Sequence, residues 1–328
     1  NTKADGRFHS KWLNMMYPRL RLARNLLRDD GVIFVSIDDN EAHHLRMMIN
    51  EIFGEENFEA CIIPIVNPGG RDYKQIAITH EYILVFSRSD FTTFNELQKE
   101  TIFQYFDSKG GFNLRELRNR NPKFHSGNRR KLFYPFYVNP EVSLNGYCSV
   151  STTKDNNHKI EVKPYNSEGK ESVWRWGREK SDKNIIISDL DKSQIVAKQK
   201  GDGNWNIYEK NRRDTTKAKS LWNETCMRTE NGTRTFRDLF SASYFNHPKP
   251  VDLIKRCIKI GISDDDIVLD FFAGSCTTAH ALLDLNKEDG GNRRFILVQM
   301  PENCDEKSEA FKAGYRNIAE IGRERIRR

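Results

Sequence analysis

Apolar residues recur at helical spacing over 11–30, where Trp12, Met16, Leu20, Ala23 and Leu27 share a face and Ser10 supplies a cap. Gly31 breaks that pattern, and the apolar run Val32 to Ile37 predicts a short strand. Asp38-Asp39-Asn40 then offers the cap of a second helix through Leu45, Met48, Ile49 and Ile52, which stops at Gly54. Met47 and Met48 belong to the apolar side of that helix and read as core. Two more strands are predicted around 60–66 and 82–87, on either side of the turn-rich Asn67-Pro68-Gly69-Gly70. This succession reads as half of a doubly wound sheet.

The texture changes from about 90 to 245. Periodicity weakens, and Asn, Lys, Arg and aromatic residues accumulate between turn dipeptides, which predicts a separate, mixed, β-rich insert. Regular patterning returns at Lys249-Pro250, which opens a helix carrying Leu253, Ile254, Cys257 and Ile258 and ending at Gly261. A strand over 295–299 and a final helix carrying Phe311, Tyr315, Ile318 and Ile321 complete the pattern. The division is therefore 1–90, an insert over 91–245, and 246–328.

Between these last elements lies the most informative stretch, residues 267–280. The β-branched run Ile267 to Phe271 bears an acid, Asp270, near its end. Four small residues follow (Ala273, Gly274, Ser275, Cys276), and a helical pattern begins at Thr277. A buried parallel strand, a tight turn and a helix N-terminus form the place where open α/β sheets bind ligands. The GxGxxG spacing of dinucleotide binders is absent, which weakens a nicotinamide or flavin reading.

Composition narrows the class. The chain has 328 residues, with 37% hydrophobic and 30% charged positions, enough for one large α/β domain with an inserted one. No run approaches the roughly 18 apolar residues of a membrane span, and no signal-peptide pattern opens the chain. Six scattered cysteines contain no CxxC pair, so neither a disulfide framework nor a metal site is expected, and a reducing cytoplasm fits. The net charge of +7 permits a polyanionic partner without establishing one.

Residues 270–278, Asp-Phe-Phe-Ala-Gly-Ser-Cys-Thr-Thr, resemble the S-adenosylmethionine loop of amino-methylating DNA methyltransferases, except that Cys276 stands where the family usually has Gly. A thiol there is expected to demand an ordinary backbone conformation. The stretches His9-Ser-Lys-Trp-Leu, Gly31 to Glu41, Glu51 to Phe58, His80 to Val85, Trp174-Arg-Trp-Gly177, His247-Pro-Lys-Pro250 and Gly314 to Ile318 are similar, in order, to modification subunits of type III restriction–modification systems. The resemblance implies a Rossmann-like methyltransferase sheet with an inserted target-recognition domain: catalytic half first, recognition next, cofactor half last. It implies transfer of a methyl group from S-adenosylmethionine to adenine N6 in a short DNA site. The alternatives are cytosine N4, which uses the same chemistry, or a recognition subunit without catalysis.

The family holds the target amine with Asp-Pro-Pro-Tyr. No Pro-Pro dipeptide occurs in this chain, and the motif is expected upstream of Asn1-Thr2, so no catalytic residue is assigned. Asp38 and Asp39 read as a cap and a surface acid. By the resemblance, Asp270 orients the loop and the methionine amino group, while Phe271 and Phe272 wall the pocket. Ala273, Gly274, Ser275 and Thr277 present backbone and hydroxyls to the methionine end. Lys249 lies near the cofactor carboxylate, and Glu302 accepts ribose hydroxyls. His80 and Tyr82 lie near the strand that borders the target-base pocket of relatives, but core and edge roles are the expected ones for both. DNA contact is expected from two basic segments, one with Arg118, Arg120, Lys123, Arg129, Arg130 and Lys131, the other with Arg212, Arg213 and Lys217. Phe124, Phe133, Tyr134, Trp174 and Trp176 are interleaved there, to pack or to stack. The partners implied are double-stranded DNA, a second copy of the chain and a restriction–helicase subunit.

Overall fold

Residues 8–70 and 75–328 are described by the computed structural model, so Asn1-Thr2 lies outside them. The chain forms two compact units, Asn1–Leu97 with Lys217–Arg328, and Gln98–Thr216 between them in sequence.

In the first unit, α1 (Phe8–Leu26), β1 (Val32–Ile37), α2 (Ala42–Phe53), β2 (Phe58–Pro64) and β3 (Tyr82–Ser87) follow the apolar pattern closely. Strand β3 lies between β1 and β2 and is antiparallel to both, so β1 and β2 run parallel to each other. The connections explain the directions. Helix α2 carries the chain over from β1 to β2, whereas no helix is found between β2 and β3 among the described residues. Alternation along β3 then covers both sheet faces. Leu84 and Phe86 pack with Leu20, Leu45, Ile49 and Phe53 of α1 and α2, while Ile83 and Val85 face the opposite cluster with Leu253 and Cys257. One local expectation fails. Asp38 closes a turn on Asn40, accepting its backbone N–H at 3.0 Å, and α2 is capped at Glu41, whose side chain makes no capping bond.

The second unit is a seven-stranded sheet whose pairings are antiparallel. Its strands are β4 (Tyr105–Asp107), β5 (Gly110–Glu116), β6 (Phe136–Leu144), β7 (Tyr147–Ser151), β8 (Ile160–Val162), β9 (Ile195–Gln199) and β10 (Trp205–Asn211), in spatial order β4-β5-β10-β9-β7-β6-β8. One short helix, α3 (Arg178–Asn184), accompanies it. Tyr134, Phe136 and Trp174 fill one core, and Phe112 and Tyr147 fill another. Burial pushes the Tyr134 hydroxyl up to about 12.

The first unit resumes earlier than composition suggests. Strand β11 (Leu221–Trp222) adds parallel to β2. Helix α4 (Thr229–Phe240) buries Phe236 and Phe240 against Ala310 and Ile321. Residues 217–245 therefore pack with the flanking sheet protein, because their aromatic positions fall at helical spacing and find apolar partners there. Next come α5 (Val251–Gly261), β12 (Ile267–Asp270), α6 (Thr277–Asp289) and β13 (Arg294–Leu297). Strands β12 and β13 are parallel, with α6 as the crossover and Asp270 opposite Leu297. The single final helix of the sequence reading is two, α7 (Glu309–Lys312) and α8 (Ile318–Arg327). Gly314 takes a positive φ of 99°, and the Asn317 side chain accepts from Glu320 N–H to start the second helix. Among the described residues, no helix is long and apolar enough to cross a membrane.

Candidate functional site

Residues 270–278 join the end of β12 to the start of α6, as their pattern predicts. Asp270 organises the turn with both carboxylate oxygens. One accepts from the Phe272 backbone N–H at 3.1 Å, the other from the Thr278 hydroxyl at 2.6 Å. Gly274 has φ +51°, and its N–H donates to the Gln299 side-chain oxygen at 2.7 Å, tying the turn to the end of β13. Gln299 was not singled out by sequence; its position just past a strand end is the signal that would have marked it.

Cys276 departs from expectation. It adopts the left-handed region, φ 59° and ψ 38°, and so keeps the backbone that a Gly would take. The thiol is accommodated with a Cβ in a conformation that disfavours one. Burial, and then the nearby Asp270 charge, raise its pKa, so it remains a neutral thiol.

Cys276 is also the N-cap of α6 and gives no side-chain capping bond, and no acid stands in the first turn. The leading N–H groups of a thirteen-residue helix thus face the turn without a side-chain acceptor at the cap. Ser275 and Thr277 are buried, and their hydroxyls point inward. The Arg325 guanidinium donates to Ser275 Oγ at 3.0 Å and Thr277 Oγ1 at 2.8 Å. Ala273 is buried beneath the turn, Phe271 packs into the core beside β1, and Phe272 is exposed. Phe245 approaches the turn from another side, 3.4 Å from where a Cβ on Gly274 would lie.

The outlying positions are less uniform. Lys249 is paired with Glu81, which immediately precedes β3. Glu302 is exposed five residues beyond β13, its backbone oxygen accepting from Ile318 N–H at 3.0 Å. Tyr82 donates to Asp39 at 2.8 Å and lies 3.0 Å from His80 Nε2; the Asp39 bond is the main cause of its raised pKa. Metal-type donors gather, among the described residues, where the buried Glu41 accepts from His9 and His44 at 2.8 and 2.9 Å. Both carboxylate oxygens are thereby occupied.

In the second unit the basic residues divide into two groups. Arg118 and Arg120 both bind the Glu116 carboxylate at 2.8 Å. Lys210, two residues before Arg212, is internal: its amino group binds Asp107 at 2.8 Å and the Leu190 and Asp191 carbonyls. Arg212 also binds Asp107 at 2.5 Å. Lys123, Arg129, Arg130, Lys131 and Arg213 are exposed, and Arg129 stacks over Phe124 at 5.4 Å. Lys217, also exposed, falls in the first unit. Trp174 and Tyr134 pack rather than stack on a ligand, with Trp174 Nε1 donating to the Tyr134 carbonyl at 2.7 Å. A hollow of about 330 Å³ is lined by Arg118 to Pro122, Phe124 to Ser126 and the facing Asn166 and Lys170 to Ser172.

A parallel strand ending in an acid, a small-residue turn and a helix N-terminus without a side-chain cap give this part of the chain the strand–turn–helix arrangement of α/β proteins. The chain belongs to the N6/N4 DNA methylase family, whose model matches residues 1–309. It is 36% identical to the EcoPI Mod subunit, a type III restriction-modification enzyme of Escherichia phage P1, over 97% of this chain and 50% of that protein. It is 35% identical to the StyLTI Mod subunit of Salmonella typhimurium strain LT2, over 98% and 45%. It is 31% identical to the type II methyltransferase M.KpnI of Klebsiella pneumoniae, over 95% and 72%. The chain thus spans about half the length of the type III relatives.

Proposed function

We propose that this chain carries the cofactor-binding and DNA-recognising parts of a site-specific methyltransferase that modifies adenine N6 and serves as a type III modification subunit. The observation that carries this reading is the turn 270–278, with its uncapped helix N-terminus and its acid fully engaged in shaping the loop. The donor set fits S-adenosylmethionine. The first turn of α6 offers N–H groups to a carboxylate, Phe272 and Phe245 offer apolar surface beside the turn, and the exposed Glu302 is free to accept ribose hydroxyls. When bound, the cofactor supplies an electrophilic methyl group. The chain's own residues hold and orient it: Asp270 and Gln299 fix the turn, and α6 faces the anionic end.

The second unit serves as the recognition domain in this reading. Lys123, Arg129, Arg130 and Lys131 project from one loop and neutralise phosphates, while Asn119, Asn121 and His125 in the adjoining hollow contact base edges. Arg118 and Arg120 share the Glu116 carboxylate, which offsets one of their two charges, and Arg212 is turned toward Asp107, so these contribute less. A second copy and a restriction–helicase subunit, in the cytoplasm, complete the proposed assembly. The likeness to two Mod subunits of type III restriction-modification enzymes supports the restriction-partner part of that reading.

Calorimetry with S-adenosylhomocysteine tests the reading directly. One saturable site is expected, and a folded sample that binds nothing overturns it. The chain as it stands is expected to transfer no methyl group to DNA, because no Asp-Pro-Pro-Tyr holds the amine. A polypeptide in which an Asp-Pro-Pro-Tyr motif accompanies this chain is expected to yield N6-methyladenine by mass spectrometry; N4-methylcytosine would shift the target base to cytosine.

A further inference from the structure

Arg325 lies in the last turn of α8, beyond the residues matched by the family model, and its side chain is 3% exposed. One of its terminal nitrogens donates to the Ser275 carbonyl at 3.2 Å, to Ser275 Oγ at 3.0 Å and to Thr277 Oγ1 at 2.8 Å. The other faces His280 Nδ1 at 3.3 Å, and the Phe236 ring lies 5.6 Å from the guanidinium carbon. Every one of these acceptors is neutral. Among the described residues no carboxylate bonds to this cation directly, although Asp284, beside His280, acts on it at longer range; burial outweighs this and lowers its pKa to about 10.

A buried cation costs several kcal/mol unless it is compensated. The negative end of α8 compensates part of this one. The neighbouring α6 does the opposite, because its positive N-terminal end converges on the same Ser275–Thr277 segment, with no acid in its first turn. The Arg325 guanidinium and the positive end of α6 thus meet at one turn; Asp270, bonded to the Thr278 hydroxyl, and Asp284, beside His280, offset part of that charge, and an anion above the turn offsets more of it. Neutral hydroxyls satisfy the geometry of Arg325 but not its charge.

We infer that Arg325 is a positioning residue for the cofactor loop, holding Ser275 and Thr277 from behind and completing its charge balance when the carboxylate of the cofactor's amino-acid end is bound. The inference rests on the cofactor reading above. It also explains why two hydroxyls expected to face the ligand point inward: they transmit the position of α8 to the turn. The anionic end of the ligand then meets backbone N–H groups whose spacing Arg325 sets.

The test compares two ligands that differ at the end in question. S-adenosylhomocysteine carries the amino-acid carboxylate, and 5′-methylthioadenosine lacks it. Calorimetry on the wild type with S-adenosylhomocysteine checks the cofactor reading alone. In Arg325→Gln, affinity for S-adenosylhomocysteine should fall at least about tenfold, the size of one charge-assisted interaction, while methylthioadenosine affinity changes by less than about twofold. Arg325→Lys keeps the charge and loses the forked geometry, so it should fall between; it also keeps the question open to measurement if the Gln variant does not fold. Equal losses for both ligands, or no loss for S-adenosylhomocysteine, would overturn the inference, because a merely structural role does not distinguish the two.

Discussion

The Sγ of Cys276 occupies space that Gly322 leaves empty: a Cβ on Gly322 would sit 2.5 Å from that sulfur. The turn and the last helix are thus matched to one another. Gly322→Ala should destabilise the protein by about 1–3 kcal/mol, the usual cost of overpacking. In a Cys276→Gly background the same change should be nearly neutral, since the next contact, Gly274 O at 3.4 Å, is looser. Cys276→Gly alone should keep or improve ligand affinity by relieving the left-handed Cβ. Urea denaturation of the four proteins measures the coupling, and additive costs would show that the two residues do not meet.

Asp270 has a different part in the same turn. Asp270→Ala leaves the Phe272 N–H and the Thr278 hydroxyl without an acceptor, each worth about 1–3 kcal/mol if buried. A loss of S-adenosylhomocysteine affinity of at least about tenfold is expected by calorimetry. Asp270→Asn, which can still accept one of the two bonds, should lose less.

Acid should loosen the site through His280. Its pKa is lowered from 6.5 by burial first and then by Arg325; Asp284 opposes this and Lys255 adds to it. A histidine with a depressed folded pKa contributes stability that is complete above 6.5 and is lost as pH falls through the folded value. Ligand affinity should therefore stay flat through pH 6.5 and decline only as pH falls through the lowered folded value, where His280 ceases to accept from Arg325. His280→Asn, which keeps an acceptor but no proton, should flatten that decline; an unchanged acid limb would place its origin elsewhere.

DNA affinity should depend on the exposed basic loop. Replacing Arg129, Arg130 and Lys131 together by Ala should weaken binding to all sequences. It should also reduce the slope of log affinity against log salt by about 0.9 for each phosphate no longer neutralised. Replacing Arg118 and Arg120 should do less, because Glu116 already offsets one of their two charges. Fluorescence anisotropy across a salt series separates the two, and an equal effect of both replacements would contradict this division.

The buried pair Lys210–Asp107 should behave as core. At Asp107, burial raises the carboxyl pKa, while hydrogen bonds from Arg212 and Lys210 outweigh it and leave the value lowered. The stability it contributes is present above the ordinary 3.8 and disappears as pH falls through the lowered value. Asp107→Asn should cost about 3–5 kcal/mol at neutral pH by leaving Lys210 uncompensated, and a shift in the urea midpoint reports it.

Local pattern alone determined much of this protein. The periods of 3.6 and 2 located α1, β1, α2, β2 and β3 within a few residues, because apolar burial is the dominant driving force and each element must present one apolar face. The turn after Asp270 was equally readable, since its acid, small residues and following helix are contiguous. What contiguous residues cannot encode, the tertiary structure decided. The return of 217–245 to the first unit depends on Phe236 and Phe240 meeting Ala310 and Ile321, far along the chain. The sorting of the arginines depended on which acids the folded sheet brought beside them: Glu116 for Arg118 and Arg120, Asp107 for Arg212. The left-handed Cys276 required the space opened by Gly322, and the inward turn of Ser275 and Thr277 required Arg325. Those partners stand 46 to 50 residues away, and only packing and desolvation acting at a distance in sequence could select them.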